Sequence, residues 1–332
     1  MEYSARSLHV TLVTPFEASG AVDTAGLAKL AQRMTAIDSP IPMIPIVNAE
    51  AGEIYTLTRD ELVTNLQAVR DAVDTPIVAG VVGRTSGEAI EIAQDALRAG
   101  ASGLFVLPPY GSADITTSWD AARYPEVVVD YLHRIASAVG EVPLLIHPTG
   151  RANPPYGIGW PPATVRAVLD RVPTVRGWKM TYSYEGYRQV ARMIHEEYPH
   201  VAVLPSSAVR YHENLANDQL DGACSGSFCY ALDPMIEHLR LWSQGDVPAA
   251  TKLWHAGLAE LHEYVYSDYS RLHIRYKLAS WLAGEIESPL MRDPMPAPTA
   301  DEAERLQSLL VAAGIESRDA AELKAAVAGR AV

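Results

Sequence analysis

Lys179 has the most distinctive potential chemistry in this sequence, because it stands near the end of an apolar, β-like run. Residues 175–182 read Val-Arg-Gly-Trp-Lys-Met-Thr-Tyr. A buried lysine loses the hydration of its charged form, so we expect desolvation to lower its pKa and leave a nucleophilic amine near neutral pH. Such an amine attacks a ketone and forms a protonated imine, an electron sink that permits aldol cleavage, aldol addition or loss of water. The alternative is a surface lysine whose stem alone is buried.

Eight short apolar runs alternate with helical patterns along the first two thirds of the chain. Thr58 with Glu61, and Thr85 with Glu88, have the spacing of helix capping boxes, and Gly100 stands where a helix should end. We predict strands over residues 8–13, 42–47, 76–81, 103–107, 142–147, 175–179, 201–204 and 222–225.

The predicted strands are apolar throughout, which is typical of parallel strands covered by helices on both faces. Eight such units predict an α/β fold, a (β/α)8 TIM barrel, with a doubly wound open sheet as the alternative. After about residue 230 only helical spacing continues. We therefore predict a barrel over residues 1–229 and a C-terminal helical region over residues 230–332 that packs on it.

Composition and charge exclude several classes of protein. The chain has 332 residues, 48% of them hydrophobic, and can bury a full core. Its formal net charge of -13 argues against a nucleic-acid or anionic-membrane partner. Its two cysteines, Cys224 and Cys229, make no disulfide framework, and a zinc site would need other ligands, so we predict no metal site. The N-terminus carries no basic-apolar leader and no run is long enough to span a membrane, so we expect a cytoplasmic protein.

Polar residues follow many of the predicted strands. In a barrel of this kind the reactive groups lie where strands end and loops begin. A lysine, an imidazole, carboxylates and hydroxyls are therefore expected to converge at one mouth, from Thr14, residues 48–53, Gly83, Tyr110, His147, Lys179, Ser206 and Ser225.

Several motifs occur in order along the chain: Leu12-Val13-Thr14-Pro15-Phe16, Gly52-Glu53 with Thr56-Leu57-Thr58 and Glu61, Pro108-Pro109-Tyr110, Gly150-Arg151 and Gly177-Trp178-Lys179. Together they resemble the dihydrodipicolinate synthase/N-acetylneuraminate lyase family over roughly residues 8–313. The resemblance implies a barrel with C-terminal helices, usually a homotetramer, and a lysine that forms a Schiff base with a 2-oxo acid. Lys179 matches that lysine, and the covalent imine implies that no separate cofactor is needed.

The chain departs from the family pattern at the residues that handle protons. The family typically has Gly-Thr-Thr-Gly-Glu after its second strand, and its two hydroxyls hold the substrate carboxylate and pass protons. Here Glu50 and Ala51 replace both hydroxyls. Tyr110 is followed by Gly111, so the tyrosine that the family's synthases lend across a subunit interface is absent.

The family's catalytic tyrosine at the end of the fifth strand is also missing. Counting from Pro143 in the strand puts His147 at its position, whereas counting back from Gly150-Arg151 puts Ile146 there. We favour His147, because loops absorb deletions and barrel strands do not. A histidine is chemically suited to shuttle protons near neutral pH. The alternative is a strand-end histidine bonded to a loop carbonyl.

Glu50 bears on the choice of substrate. Two like charges about 4 Å apart repel by roughly 4 kcal/mol at an effective dielectric of 20, enough to weaken binding about a thousandfold. Glu50 therefore points away from the site, is protonated, or faces a substrate with no carboxylate at that place. We favour the third outcome, which argues against ordinary dihydrodipicolinate synthesis or sialate cleavage.

The predicted catalytic residues are Lys179, His147 and Glu50. Glu53 is expected to brace its loop. Arg151 is expected either to hold an acidic group of the substrate through its planar fork or to form a surface ion pair. The predicted substrate-binding residues are Thr14, Ala51, Tyr110, Arg151, Ser206 and Ser225.

Two functions follow from these residues. The first is a Schiff-base lyase, an aldolase or a hydro-lyase, acting on a 2-oxo acid or a related small carbonyl compound, in a homo-oligomer of two or four subunits. The second is a barrel that has lost its proton relay and binds a small molecule as a sensor or scaffold. Retention of Lys179 favours the first, and the missing hydroxyls and tyrosines favour the second.

Overall fold

All eight predicted strands form, and each begins and ends within two residues of its predicted bounds. A computed structural model describes residues 2–110 and 119–328. Its strands are β1 (Leu8–Thr11), β2 (Met43–Val47), β3 (Val78–Val81), β4 (Gly103–Val106), β5 (Leu144–Ile146), β6 (Val175–Met180), β7 (Ala202–Pro205) and β8 (Ala223–Ser225).

The strands form one parallel sheet in the order β7-β6-β5-β4-β3-β2-β1-β8. The first strand pairs with both the second and the last, with Leu8 opposite Met43 on one side and Ala223 on the other. Asp221 joins the remaining edges: its backbone N–H donates to the Val203 carbonyl at 3.1 Å, and its Oδ2 accepts from the Val203 N–H at 2.8 Å. The predicted (β/α)8 TIM barrel is confirmed.

Helices follow the strands and pack outside the ring. Thr58 and Glu61 form the predicted capping box, in which each side chain satisfies the backbone N–H of the other. Thr85 caps its helix, but Glu88 accepts from the Arg84 N–H at 2.7 Å, so that predicted box is only half formed. The helices are α1 (Thr24–Ala36), α2 (Arg59–Ala72), α3 (Ser86–Arg98), α4 (Glu126–Val139), α5 (Pro162–Arg171), α6 (Tyr184–Glu197), α7 (Tyr211–Ala216) and α8 (Phe228–Ser243).

Two apolar layers hold the ring together, because alternate residues of each strand face inward or toward the helices. The inner layer includes Phe105, Leu145 and Leu204. Gly177 leaves room for this layer, since a Cβ there would lie 2.8 Å from Leu204 Cδ1 and 3.1 Å from Leu145 Cγ. Side chains therefore fill the barrel below its C-terminal mouth.

Further helices cover part of that mouth. They are α9 (Val247–Leu253), α10 (Ala259–Tyr266), α11 (Leu272–Leu282), α12 (Ala300–Ala312) and α13 (Leu323–Val327), with a π-helical segment at Trp254–Leu258. Almost every residue of α11 is buried, between α8 and α12. The division into a barrel ending at residue 229 and a separate helical region stays a prediction. Within residues 2–110 and 119–328, no helix combines the length and the apolar character needed to cross a membrane.

A buried ion pair ties α11 to the barrel. The Lys277 ammonium donates to the Glu53 carboxylate and to the Leu290 carbonyl, and it lies 4.2 Å from the centre of the Phe16 ring. The second Glu53 oxygen accepts from the Arg292 backbone N–H at 2.9 Å. Glu53 thus braces its loop against the C-terminal helices, as expected from the sequence.

Candidate active site

Lys179 lies inside the mouth of the barrel, on β6. Its side chain is 6% exposed, and the ammonium lies 5.2 Å from the centre of the Phe105 ring beneath it. Gly177 stands two residues earlier on the same strand and so on the same face. The absence of a side chain there keeps the layer below the lysine compact.

The loop after β2 brings Glu50 to the same place. The loop starts at Asn48, which adopts a left-handed conformation with φ 60°. The Asn48 side chain is tied to α2, since its Nδ2 donates to the Leu62 carbonyl and its Oδ1 accepts from Asn65 Nδ2, at 2.9 and 3.0 Å. At the other end Thr14 Oγ1 donates to the Gly52 carbonyl at 2.7 Å. These bonds fix the loop that carries Glu50.

Glu50 forms a buried ion pair with Lys179. Burial raises the pKa of the Glu50 carboxyl, but the neighbouring His147 and Lys179 side chains outweigh burial and lower it to about 2. Glu50 therefore points into the site, so the first of the three outcomes considered from the sequence does not hold.

The expectation of a lowered lysine pKa is wrong for the resting site. Burial opposes the charge of Lys179, but the Glu50 carboxylate beside it outweighs that effect and raises the pKa of the amine above its usual range. Desolvation is only one of the two effects on this lysine, because the loop after β2 supplies a counter-ion. The resting lysine is an ammonium, and it becomes a nucleophile only after it gives up a proton.

His147 lies beside the Glu50–Lys179 ion pair. Its ring stacks on Phe105, with centroids 5.5 Å apart and an interplanar angle of 20°, and its Nδ1 lies 3.6 Å from Glu50 Oε2. Neither ring nitrogen has a hydrogen-bond partner in the described part of the chain. Burial lowers the pKa of His147 to about 3, so the imidazole is neutral at physiological pH. Ile146 packs in the layer between strands and helices, so the histidine and not the isoleucine faces the lysine.

The three side chains border a cavity of about 250 Å³. Ser206 and Ser225 line it, as predicted from their positions after β7 and in β8. The sequence analysis missed the residues that α10, α11 and the segment between them contribute. The C-terminal part of the lining consists of Tyr266, Tyr269, Leu272, His273 and Tyr276.

Tyr266 joins the two parts of the cavity wall. Its hydroxyl donates to the Ser206 carbonyl at 2.9 Å and lies within hydrogen-bond distance of Ser225 Oγ at 3.2 Å and of the Tyr276 hydroxyl. Gly226 makes room for this contact, since a Cβ there would lie 2.7 Å from the Tyr276 ring. Helical spacing after about residue 230 predicted these helices, but it did not identify their side chains as part of the cavity wall.

Four of the predicted binding residues do not line the cavity. Thr14 holds the loop through its bond to Gly52, and Ala51 is buried in the apolar core. Tyr110 is 43% exposed and packs edge-on against Tyr55, with centroids 5.8 Å apart. Arg151 is exposed in the loop after β5.

Two further predictions concern the residue that follows Tyr110 and the expected lack of a metal site. Gly111, the residue in place of the second tyrosine, lies outside the described residues. Over the described ranges, no group of three or more histidine, cysteine or acidic side chains is arranged to hold a metal ion.

The sequence matches the dihydrodipicolinate synthetase family over residues 4–313, nearly the whole chain. The chain belongs to this family. The expected resemblance is therefore confirmed, and the barrel with its C-terminal helices is the fold of the family.

Curated relatives within the family differ in the reaction that their names give. A 4-hydroxy-tetrahydrodipicolinate synthase of Synechococcus sp. (strain CC9605) is 36% identical over 162 residues, which are 48% of this chain and 48% of that protein. The match thus spans about half the length of such synthases. YagE of Escherichia coli K12, provisionally named a 2-dehydro-3-deoxy-D-gluconate aldolase, is 27% identical over 71% of this chain and 74% of its own.

Solved structures share the fold at low identity. The crystal structure of YagE in complex with pyruvate has a TM-score of 0.77 at 22% identity, covering 93% of this chain and 98% of that one. A dihydrodipicolinate synthase variant described as the first monomeric one has a TM-score of 0.77 at 19% identity, covering 93% and 97%. At these identities the likeness concerns the fold alone.

Proposed function

We propose that this protein is a class I lyase, an aldolase or a hydro-lyase, in which Lys179 forms a Schiff base with a small carbonyl compound. The observation that carries the proposal is the buried contact between the Lys179 ammonium and the Glu50 carboxylate, inside a cavity at the C-terminal mouth of the barrel. The barrel mouth is where TIM-barrel enzymes hold their reacting groups. The names of the relatives, a synthase and an aldolase, are consistent with this class of reaction.

Glu50 supplies the base that activates the lysine. When a carbonyl compound enters, Glu50 takes one proton from the ammonium, and the neutral amine adds to the carbonyl carbon. The new C–N bond forms as the carbonyl oxygen is protonated and then leaves as water. Glu50 returns its proton during the loss of water and is ionised again. The resulting iminium carries one positive charge, so Glu50 is its counter-ion, as it was for the ammonium.

His147 is placed to handle the second proton. In retro-aldol cleavage the hydroxyl on the β-carbon loses its proton to a base, the bond between the α- and β-carbons breaks, and its electron pair moves to the iminium as an enamine. In a hydro-lyase reaction His147 removes the α-proton to form the enamine, and the imidazolium returns a proton to the β-hydroxyl, which leaves as water. The neutral imidazole accepts either proton, and the carboxylate 3.6 Å away stabilises the imidazolium.

The substitution of both hydroxyls by Glu50 and Ala51 argues against the ordinary synthase reaction. We retain a 2-oxo acid or a related carbonyl compound as the substrate class, with no cofactor beyond the lysine. Assembly into a dimer or tetramer and a cytoplasmic location are parts of the same proposal.

Borohydride reduction tests the proposal directly. The protein is incubated with each of a panel of 2-oxo acids and neutral aldehydes or ketones, reduced, digested and analysed by mass spectrometry. We expect an adduct on the peptide that contains Lys179 and none in Lys179→Met. Adducts on exposed lysines alone, at equal levels in both proteins, would contradict a Schiff-base enzyme.

A binding protein is the second candidate, favoured by the resting charge of Lys179. An ammonium held by a carboxylate is no nucleophile, and the described lining has hydroxyl groups that suit reversible binding. A compound that binds with the same affinity to the wild type and to Lys179→Met, and that borohydride never traps, would support this reading.

A further inference from the structure

The charged side chains that line the cavity balance one another before any substrate binds. Among the described residues that line it, Glu50 and Lys179 are the only acidic and basic side chains apart from two histidines. Burial lowers the pKa values of both His147 and His273, so both rings are neutral. The single cation is thus already paired with the single anion.

The residue expected to receive an acidic group lies elsewhere. Arg151 is exposed and does not line the cavity, and Ala51 offers no hydroxyl. A substrate carboxylate next to the imine would meet the ionised Glu50 instead. At a separation of about 4 Å this repulsion corresponds to roughly a thousandfold loss in binding.

Residues that carry a hydroxyl group make up most of the remaining described lining, although the surface of the cavity is largely apolar. They come from three directions: Thr149 and Thr181 after the fifth and sixth strands, Ser206 and Ser225 at the last two strands, and Tyr266 and Tyr276 from the C-terminal helices. Neutral hydroxyls are both donors and acceptors, which suits hydroxyl groups of a ligand. They provide no net charge to balance a carboxylate.

We propose that the substrate is an uncharged hydroxylated aldehyde or ketone, and that Glu50 takes the place in the site that a substrate carboxylate would otherwise occupy. This inference rests on the imine chemistry proposed above and narrows its substrate class. The carbonyl carbon bonds to Lys179 Nζ, water leaves, and the iminium stays next to Glu50. In cleavage, the β-hydroxyl proton passes to His147, one neutral aldehyde departs, and the enamine takes up a proton and one water to release a neutral carbonyl product.

Hydroxyacetone and pyruvate are a matched pair for the test, because they differ only in CH₂OH in place of the carboxylate. Each is incubated with the whole protein at equal concentration, reduced with borohydride, and the adduct on the Lys179 peptide is quantified by mass spectrometry. For the wild type we expect at least about a hundredfold more adduct from hydroxyacetone, allowing for part of the electrostatic penalty.

Glu50→Thr tests whether the Glu50 carboxylate causes the preference for hydroxyacetone over pyruvate. Removal of the carboxylate should lower the hydroxyacetone-to-pyruvate ratio by about tenfold or more, while Glu91→Gln, a change at an exposed carboxylate on α3 paired with Arg59, keeps the wild-type ratio. If Glu50→Thr does not fold, the wild-type ratio alone still decides.

The outcomes separate the two proposals. A wild type that traps pyruvate as well as hydroxyacetone overturns the neutral-substrate inference and leaves the Schiff-base function in place. If neither compound gives an adduct in any variant, nor any carbonyl of the wider panel, the Schiff-base function fails and this inference fails with it.

Discussion

Glu50 and Lys179 are 129 residues apart in the chain, and their side chains meet inside the barrel as a buried ion pair. The first follows β2 and the second lies in β6, so the contact spans the mouth of the ring. A buried carboxylate that stabilises an ammonium stabilises an iminium at the same place for the same reason. The pair thus gives the resting protein a charged lysine and gives the proposed intermediate a counter-ion.

Replacement of Glu50 by glutamine should make Lys179 easier to deprotonate. Without the carboxylate, burial disfavours the charged amine and its pKa should fall below the usual value. Formaldehyde with cyanoborohydride methylates neutral amines, so the pH dependence of Lys179 methylation, followed by mass spectrometry, should shift to lower pH in Glu50→Gln. Glu91→Gln should keep the wild-type profile. An unchanged profile in Glu50→Gln would show that Glu50 does not set the charge of Lys179.

His147 should control proton transfer without controlling imine formation. A Schiff base exchanges its α-protons through the enamine, so a ketone that forms this Schiff base gains deuterium at the α-carbon when it is incubated with the protein in D₂O without borohydride. We expect His147→Phe to slow this exchange about a hundredfold or more, within the range typical of general acid–base catalysis. The borohydride adduct on Lys179 should stay at the wild-type level. Equal loss of adduct and exchange would instead indicate that the ring only shapes the site.

The Glu53–Lys277 pair should contribute strongly to stability. Loss of one partner leaves an uncompensated charge in the core, which typically costs about 3–5 kcal/mol. Lys277→Met should therefore lower the free energy of unfolding in urea, and so should Glu53→Gln. The double variant should lose less than the sum of the two, since the pair no longer contains a lone charge. Strict additivity would argue against a direct interaction between the two side chains.

Acid should destabilise the fold through its buried histidines. Burial lowers the pKa of His262 to about 3, against 6.5 for an exposed imidazole. Between these values the unfolded chain binds more protons than the folded one, so stability is lost as the pH falls from about 6.5 toward 3, at up to about 1.4 kcal/mol per pH unit.

His262→Gln should reduce this slope between pH 7 and pH 5. Glutamine retains a hydrogen-bonding side chain near the Tyr230 hydroxyl, which lies 2.9 Å from His262 Nδ1. His255→Gln is the matched control, since His255 lies seven residues earlier and is exposed. Denaturant titrations at several pH values measure both slopes. The same slope in the wild type and His262→Gln would remove His262 as a source of acid lability.

Residues on or next to strands were predictable from the sequence. The C-terminal ends of parallel strands meet at one edge, so Lys179, His147, Ser206 and Ser225 could be placed at one mouth without coordinates. The direction of the Glu50 side chain could not be predicted from the sequence. It depends on the left-handed turn at Asn48 and on the bonds of that residue to α2, which no local pattern specifies.

Neither the charge of Lys179 nor the C-terminal wall of the cavity could be predicted from the sequence, because both depend on contacts between residues far apart in the chain. Desolvation and a counter-ion act on a lysine in opposite directions, and only the folded chain shows which is stronger. Likewise helical spacing predicted a C-terminal helical region packed on the barrel, but not that α11 covers the mouth with His273 and Tyr276. Arg151 follows β5 in the sequence, yet its loop carries it away from the cavity.

The C-terminal helices supply one side of the compartment around Lys179, through Tyr269, Leu272 and their neighbours. These positions stand outside the strands, so their side chains can change size without disturbing the paired backbone of the ring. Directed evolution for altered selectivity should therefore sample Tyr269, Leu272 and His273 first. The reacting groups would stay fixed while the shape of the accepted molecule changes.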